Sequence, residues 1–198
     1  LSPDGIKMAV SYMRVNGNKI STHIAFYNFG SAGQMELNNQ VGELNVDDVL
    51  APQIFFCDNS TAVAVRTDGF TVFSGSQSPK EKKTVKFDQE IISTFHDGNR
   101  IGFVFDGGDS GHKYLMKVYN TGGKNTMQKY FDLQYNNITL QKDKIVMFNE
   151  KEFAVYKLNG QKKFQGKYRK PIQNVLDVRG FRKYMVITED SADLVRLG

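Results

Sequence analysis

Few residues in this chain invite a chemical reading. Gly108-Asp109-Ser110-Gly111 offers a serine hydroxyl on a glycine-rich turn. Such a hydroxyl attacks a carbonyl only when a histidine takes its proton and a carboxylate orients that histidine. His23, Asp47 and Ser110 are residues of the right types that can be put in a workable order. In the same loop Asp106, Asp109 and His112 could hold a cation, since oxygen ligands on a flexible segment suit calcium. The full spacing of a calcium loop is missing, with no acidic residue closing the far end. Three histidines without paired spacing offer no zinc site, and no glycine-rich turn leads into the helix that a phosphate cradle needs. The expectation is therefore no metal and no cofactor. Cys57, in Ile54-Phe55-Phe56-Cys57, is the one cysteine of the chain and reads as a small buried apolar residue.

Cations interleave with aromatics in Lys162-Lys163-Phe164 and Lys167-Tyr168-Arg169-Lys170. That pattern can follow a phosphate backbone or another anionic polymer. The charge is uneven in the same sense: residues 1–99 carry 8 Lys+Arg against 11 Asp+Glu, and residues 100–198 carry 18 against 10, within a net charge of +5. An anionic partner would be sought in the second half. Every such aromatic also falls where sheet packing wants one, and lysines on outer strands discourage edge-to-edge aggregation. Nucleic acid is accordingly not the expected partner.

The elements that must position these residues are strands. Apolar content of 40% and a charged fraction of 24% are those of a soluble globular chain. The longest apolar runs, such as Ile101 to Phe105 and Ile145 to Phe148, are strand-length and far short of the roughly 20 residues that span a bilayer. The chain begins at Leu1 and opens on the turn Ser2-Pro3-Asp4-Gly5; the expectation is an upstream segment that would carry any signal peptide or anchor.

A repeat organises the whole sequence. Segments with a polar start and an apolar body begin at residues 7, 61, 100, 144 and 183, spaced by 54, 39, 44 and 39. A second series, including Thr71-Val72-Phe73-Ser74 and Ala154-Val155-Tyr156-Lys157, begins at 25, 71, 117, 154 and 194, spaced by 46, 46, 37 and 40. Short β-branched and aromatic runs punctuated by Gly and Asn lack the three-to-four-residue periodicity of helices. A period of this length made of strands is that of four-stranded propeller blades. More polar runs, at Lys83 to Phe87, Met127 to Phe131 and Gln161 to Phe164, fit outer strands; Pro52 to Phe56, Ile91 to Phe95, Ile138 to Leu140 and Ile172 to Val178 fit inner ones. The predicted fold is all-β: a β-propeller of about four and a half four-stranded antiparallel blades, at about 1–48, 49–89, 90–135, 136–170 and 171–198, forming part of a larger ring.

Leu1-Ser2-Pro3-Asp4-Gly5-Ile6-Lys7-Met8-Ala9-Val10 resembles the turn and following strand of TolB-like and WD-type propellers. Val155-Tyr156-Lys157-Leu158-Asn159-Gly160 resembles the third strand and turn of quinoprotein-like blades. The chain has no Trp, so the Trp-Asp dipeptide of the first family and the tryptophan docking motif of the second are both absent. The whole is similar to uncharacterised bacterial envelope propellers of a domain-of-unknown-function family. That resemblance implies an extracytoplasmic place behind an N-terminal anchor. Gly108-Asp109-Ser110-Gly111 also resembles the nucleophile motif of chymotrypsin-like proteases, but His112 replaces the family's next glycine and no Ala-Ala-His-Cys surrounds His23.

Propeller ligands usually meet loops at one rim. In this register those are the connections between second and third strands: Arg14 to Ser21, Arg66 to Gly69, Asp106 to Lys113, Asn149 to Glu152 and Glu189 to Asp193. The candidate binding residues are Arg14, Asn18, Arg66, Asp68, Asp106, Asp109, His112, Glu150 and Asp190, with no catalytic set. The expected function is a non-catalytic binding or scaffolding module of the cell envelope that recognises protein or glycan, with a missing propeller half or self-association as a further partner. The alternatives are a propeller hydrolase or lyase using rim carboxylates, and anionic-polymer or nucleic-acid binding by the basic half.

Overall fold

The computed structural model describes residues 1–17, 19–30, 39–178 and 183–196. Among the described residues, five antiparallel sheets follow one another in sequence. Sheet A contains β1 (Lys7–Asn16), β2 (Lys19–Asn28) and β3 (Gln40–Asp47); sheet B contains β4 (Gln53–Phe56), β5 (Thr61–Arg66), β6 (Gly69–Ser74) and β7 (Lys80–Lys86). Sheet C contains β8 (Ile91–His96), β9 (Arg100–Asp106), β10 (Tyr114–Asn120) and β11 (Asn125–Phe131). Sheet D contains β12 (Asn137–Gln141), β13 (Lys144–Phe148), β14 (Glu152–Lys157) and β15 (Lys162–Lys167); sheet E contains β16 (Asn174–Asp177), β17 (Lys183–Ile187) and β18 (Ala192–Arg196). The order within every sheet is sequential, as in a propeller blade. The repeat starts at 7, 61, 100, 144 and 183 are the first residues of β1, β5, β9, β13 and β17.

The strand chemistry explains the layering. Middle strands such as β5 and β13 are buried on both faces, so they read as continuous apolar runs rather than alternating ones. Outer strands such as β7 and β15 expose lysines along an edge, which keeps that edge from recruiting further strands.

The chain divides into two compact units, Leu1–Ile92 with Gly98–Arg100 and Tyr119–Lys124, and Ser93–Asp97 with Ile101–Val118 and Asn125–Gly198. In the first, Ile24 and Phe26 of β2 pack on Ala62, Ala64 and Phe73 of sheet B, the two phenyl rings 4.8 Å apart. In the second, Val104, Met116 and Val118 pack on Ile145, Met147, Ala154 and Tyr156 of sheet D. The opposite face of sheet D, with Val146, Phe148, Phe153 and Val155, is covered by Val175, Tyr184 and Val186 of sheet E. Each large apolar side chain buried this way stabilises the fold by roughly 1.5–3 kcal/mol. Gly102 is required by close approach: a Cβ there would lie 2.1 Å from the Phe95 ring.

Two sequence expectations are corrected here. The segment Arg14 to Ser21 is not a rim loop: β1 and β2 pair as far as Asn16 and Lys19, with Arg14 opposite Ser21, because the alternating polar and β-branched residues extend the hairpin. Cys57 is half-buried rather than buried, since it lies just past the end of β4 in a polar turn where its N–H bonds to the Thr61 carbonyl.

Candidate functional site

Strand direction decides which connections share a rim in the second unit. β9 and β13 run toward it and β10 and β14 run away, so the β9–β10 and β13–β14 connections lie there. β11 and β15 also end there, which brings the β11–β12 connection to the same rim. Together these segments enclose a groove of about 580 Å³ lined by Lys113, Asp132, Gln134, Asn136, Asn149 to Glu152, and Lys167. Cations, carboxylates and amides all line it.

The β9–β10 connection is the most elaborate. Gly107 donates its N–H to the Lys113 carbonyl at 3.0 Å, closing the loop at its base. That closure needs glycine, because a Cβ on Gly107 would sit 1.8 Å from the His112 carbonyl oxygen. Inside the loop a short 3-10 helix covers Gly108–Ser110. Asp106 Oδ1 accepts the Gly108 N–H at 2.7 Å, and Ser110 Oγ accepts the His112 N–H at 3.2 Å. The His112 ring is stacked on Tyr130 and its Nδ1 lies 2.9 Å from Asp132 Oδ2. Asp132 Oδ1 accepts the Lys113 N–H at 3.0 Å. These bonds, the Lys113 amide first and His112 second, hold the Asp132 carboxyl below the usual carboxylate range.

The β13–β14 turn is braced by Asn149, whose Oδ1 accepts the N–H groups of Lys151 at 2.8 Å and Glu152 at 3.0 Å. Its backbone carbonyls are engaged as well: Tyr168 donates to Lys151 and Ile172 donates to Glu150. A fixed backbone thus presents the exposed side chains of Glu150 and Lys151 to the groove.

The sequence-predicted residues divide accordingly. Glu150 lines the groove, and His112 meets it through Asp132. Asp106 and exposed Asp109 shape the β9–β10 loop. Asp190, at the β17–β18 turn, accepts from Lys170 at 3.1 Å and from Thr188 at 2.9 Å, and these bonds lower its carboxyl pKa. Arg66 and Asp68 are bonded to each other. Arg14 lies within β1, and Asn18 lies outside the described residues. Sequence reasoning missed Asp132, Gln134 and Asn136, which belong to the β11–β12 connection. Following strand directions round the repeat would have found them, since the fourth-to-first connection reaches the same rim as the second-to-third.

The decoys resolve on geometry. His23 Nδ1 is 2.7 Å from Asn45 Oδ1, and its Nε2 is 3.7 Å from Glu43, while Asp47 stands opposite Ser21. Asp47 therefore does not orient His23. Among the described residues no three His, Cys, Asp or Glu side chains stand where they could hold a metal ion. In the basic segment, Phe164 packs against Phe153 at 4.8 Å and Tyr168 donates to Asp193 at 2.6 Å. Both aromatics are thus engaged in packing or bonding within the fold, while Phe164 is half-buried and also lines a surface groove with Lys162, Lys163 and Lys167.

Comparison with known proteins adds a family. A family model described as a family of unknown function (DUF5711) matches residues 1–197. The chain belongs to that family. No curated protein matches it. Solved structures similar to the DUF5711 chain include Saccharomyces cerevisiae Sqt1 (TM-score 0.54, 10% identity, 91% of this chain and 55% of that one). BBS1N, in complex with ARL6DN, is similar over 85% of this chain and 58% of its own (TM-score 0.52, 10% identity). BamB from Moraxella catarrhalis is similar over 93% and 60% (TM-score 0.50, 10% identity). The DUF5711 chain thus spans between half and two thirds of the length of these structures. At such identities the likeness is one of fold: the β-propeller.

Proposed function

We propose that this chain is a binding or scaffolding module that recognises a polar partner, protein or glycan, through the groove at the rim of its second unit. The observation that carries the reading is the groove itself, whose walls carry three lysines, three carboxylates and three side-chain amides on turns fixed by their own hydrogen bonds. A surface of that composition suits an extended, hydrogen-bonding ligand rather than an apolar one. Among the described residues its lining carries no Ser, Thr, Cys or His side chain, so a hydroxyl or thiol nucleophile paired with an imidazole base is not built into it. Among similar folds, BBS1N was solved in complex with ARL6DN, which supports a protein partner in general terms. An extracytoplasmic, membrane-anchored setting is part of the same reading. It is supported by the resemblance to envelope propellers and by the bacterial BamB among the similar folds.

The test is an array of immobilised oligosaccharides and peptides, probed with the labelled chain and with a variant whose residues 107–113 are replaced by a two-residue turn. The expected result is that the variant keeps its melting temperature within a few degrees and loses the signal. Equal signals from both proteins on every feature overturn the proposal.

A further inference from the structure

Sheet D ends at β15, and among the described residues no further strand pairs with the far side of that strand. The ladder decides which of its main-chain groups are left over. Tyr168 donates its N–H to the Lys151 carbonyl at 2.8 Å, and at the other end Lys157 donates to the Gln161 carbonyl at 2.9 Å. Antiparallel pairs alternate between bonded and unbonded, so inward from Tyr168 the bonded pairs are Gly166 with Phe153 and Phe164 with Val155. The N–H and C=O groups of Gln165 and Lys167 therefore point away from the sheet, where another strand could bond them.

A groove of about 580 Å³ follows that edge, lined by the β15 residues Lys162–Lys167 and by Glu152. Lys162, Lys163 and Lys167 are all exposed, against the one carboxylate of Glu152 among the described residues of the lining. The half-buried Phe164 ring lies across Gly166, where a Cβ would come 2.6 Å from its Cζ. Main-chain partners, cations and an apolar spot thus stand side by side. Glu152 and Lys167 also line the rim groove, so the two grooves meet at these residues.

We propose that the β15 edge receives an extended acidic peptide as an added strand of sheet D, with the partner's chain passing on into the rim groove. Main-chain bonds to Gln165 and Lys167 hold the strand, its carboxylates reach Lys163 and Lys167, and an apolar side chain lies beside Phe164. The lysines that repel another basic edge are the ones that attract this strand. An anionic polysaccharide would satisfy the lysines but not the outward main chain, so the edge selects the peptide. The inference rests on the rim-groove reading for the course of the partner, and on β15 alone for the pairing.

The experiment follows the fluorescence anisotropy of a labelled peptide of alternating Glu and Val, beside the same peptide N-methylated at every residue and beside labelled heparin. The parent chain should bind the first peptide and bind the methylated one at least about tenfold more weakly. Gln165→Pro removes an outward N–H and no ladder bond to β14, so it should keep the melting temperature within a few degrees and weaken the peptide about tenfold. Should the proline variant not fold, the methylated peptide on the parent chain decides alone. Lys163→Gln should weaken binding less, and added salt should weaken it further. No binding by the parent chain, or equal binding of both peptides, overturns the inference. Heparin bound more tightly than the peptide, and equally by Gln165→Pro, also overturns it, because the lysines then serve an anionic polymer. If Glu150→Gln with Lys151→Gln loses the peptide while Gln165→Pro keeps it, the peptide sits in the rim groove, and strand addition fails with the rim reading intact.

Discussion

The β5–β6 and β13–β14 turns occupy the same position in the repeat and both carry charged residues, yet they use them oppositely. In the first, Arg66 is turned inward, 7% exposed, with Nε and Nη2 donating to the two carboxylate oxygens of Asp68 at 2.8 and 2.9 Å. Its Nη1 reaches Thr71 at 3.3 Å, and Thr71 in turn bonds Thr84 at 2.8 Å. The charges are consumed within the turn. In the second, Asn149 braces the backbone with its own side chain, and Glu150 and Lys151 are left to line the groove. Residue type therefore does not tell a structural charge from a recognition charge; what decides is whether another group has already fixed the turn.

That contrast can be broken in graded ways. Arg66→Met should have the largest effect, since it removes three bonds and leaves Asp68 and Thr71 short of donors. A loss of about 2–3 kcal/mol is expected, allowing for the partial exposure of Asp68. Calorimetry should show a melting point lowered by roughly 4–10 °C; an unchanged melting point would mean the network contributes nothing.

The double variant Glu150→Gln with Lys151→Gln should behave the other way. Its stability should stay within about 0.5 kcal/mol of the parent, while affinity for an array-identified partner falls about tenfold, equivalent to about 1.4 kcal/mol. Titration calorimetry on both proteins checks this, and a melting point that falls with binding intact would reverse the two roles.

The smallest effect concerns acid. Asp132 has a folded pKa below its unfolded one, so the stability it contributes is present above the usual carboxylate range and is lost as pH falls through the lowered value. Asp132→Asn should lower the neutral melting temperature slightly and leave the value near pH 2 unchanged, so that the decline between about pH 5 and pH 2 becomes flatter. Identical acid profiles would show that the bonds to Lys113 and His112 do not hold in solution.

Much of this fold was legible because blade stacking buries both faces of the middle strands. That leaves apolar runs such as Thr61–Arg66 and Lys144–Phe148 recurring at a fixed interval. The groove was only half legible. Glu150 and the His112 loop stand out as polar interruptions of the repeat, but Asp132, Gln134 and Asn136 acquire their role from strand direction, which a list of turns does not convey. The inward turn of Arg66 was invisible for a related reason: Arg66-Thr67-Asp68 looks like any polar hairpin tip until the bidentate pairing is seen. Arg14 misled because a hairpin rich in polar residues extends beyond the length of its neighbours.

The most direct test of the central claim is a thermal-shift panel of oligosaccharides and peptides, run in parallel on the parent chain and the Glu150→Gln, Lys151→Gln variant. A ligand that binds the folded state raises the melting temperature by mass action. The groove account predicts at least one compound that stabilises the parent and not the variant. A panel in which every shift is the same for both proteins, or in which none occurs, contradicts it.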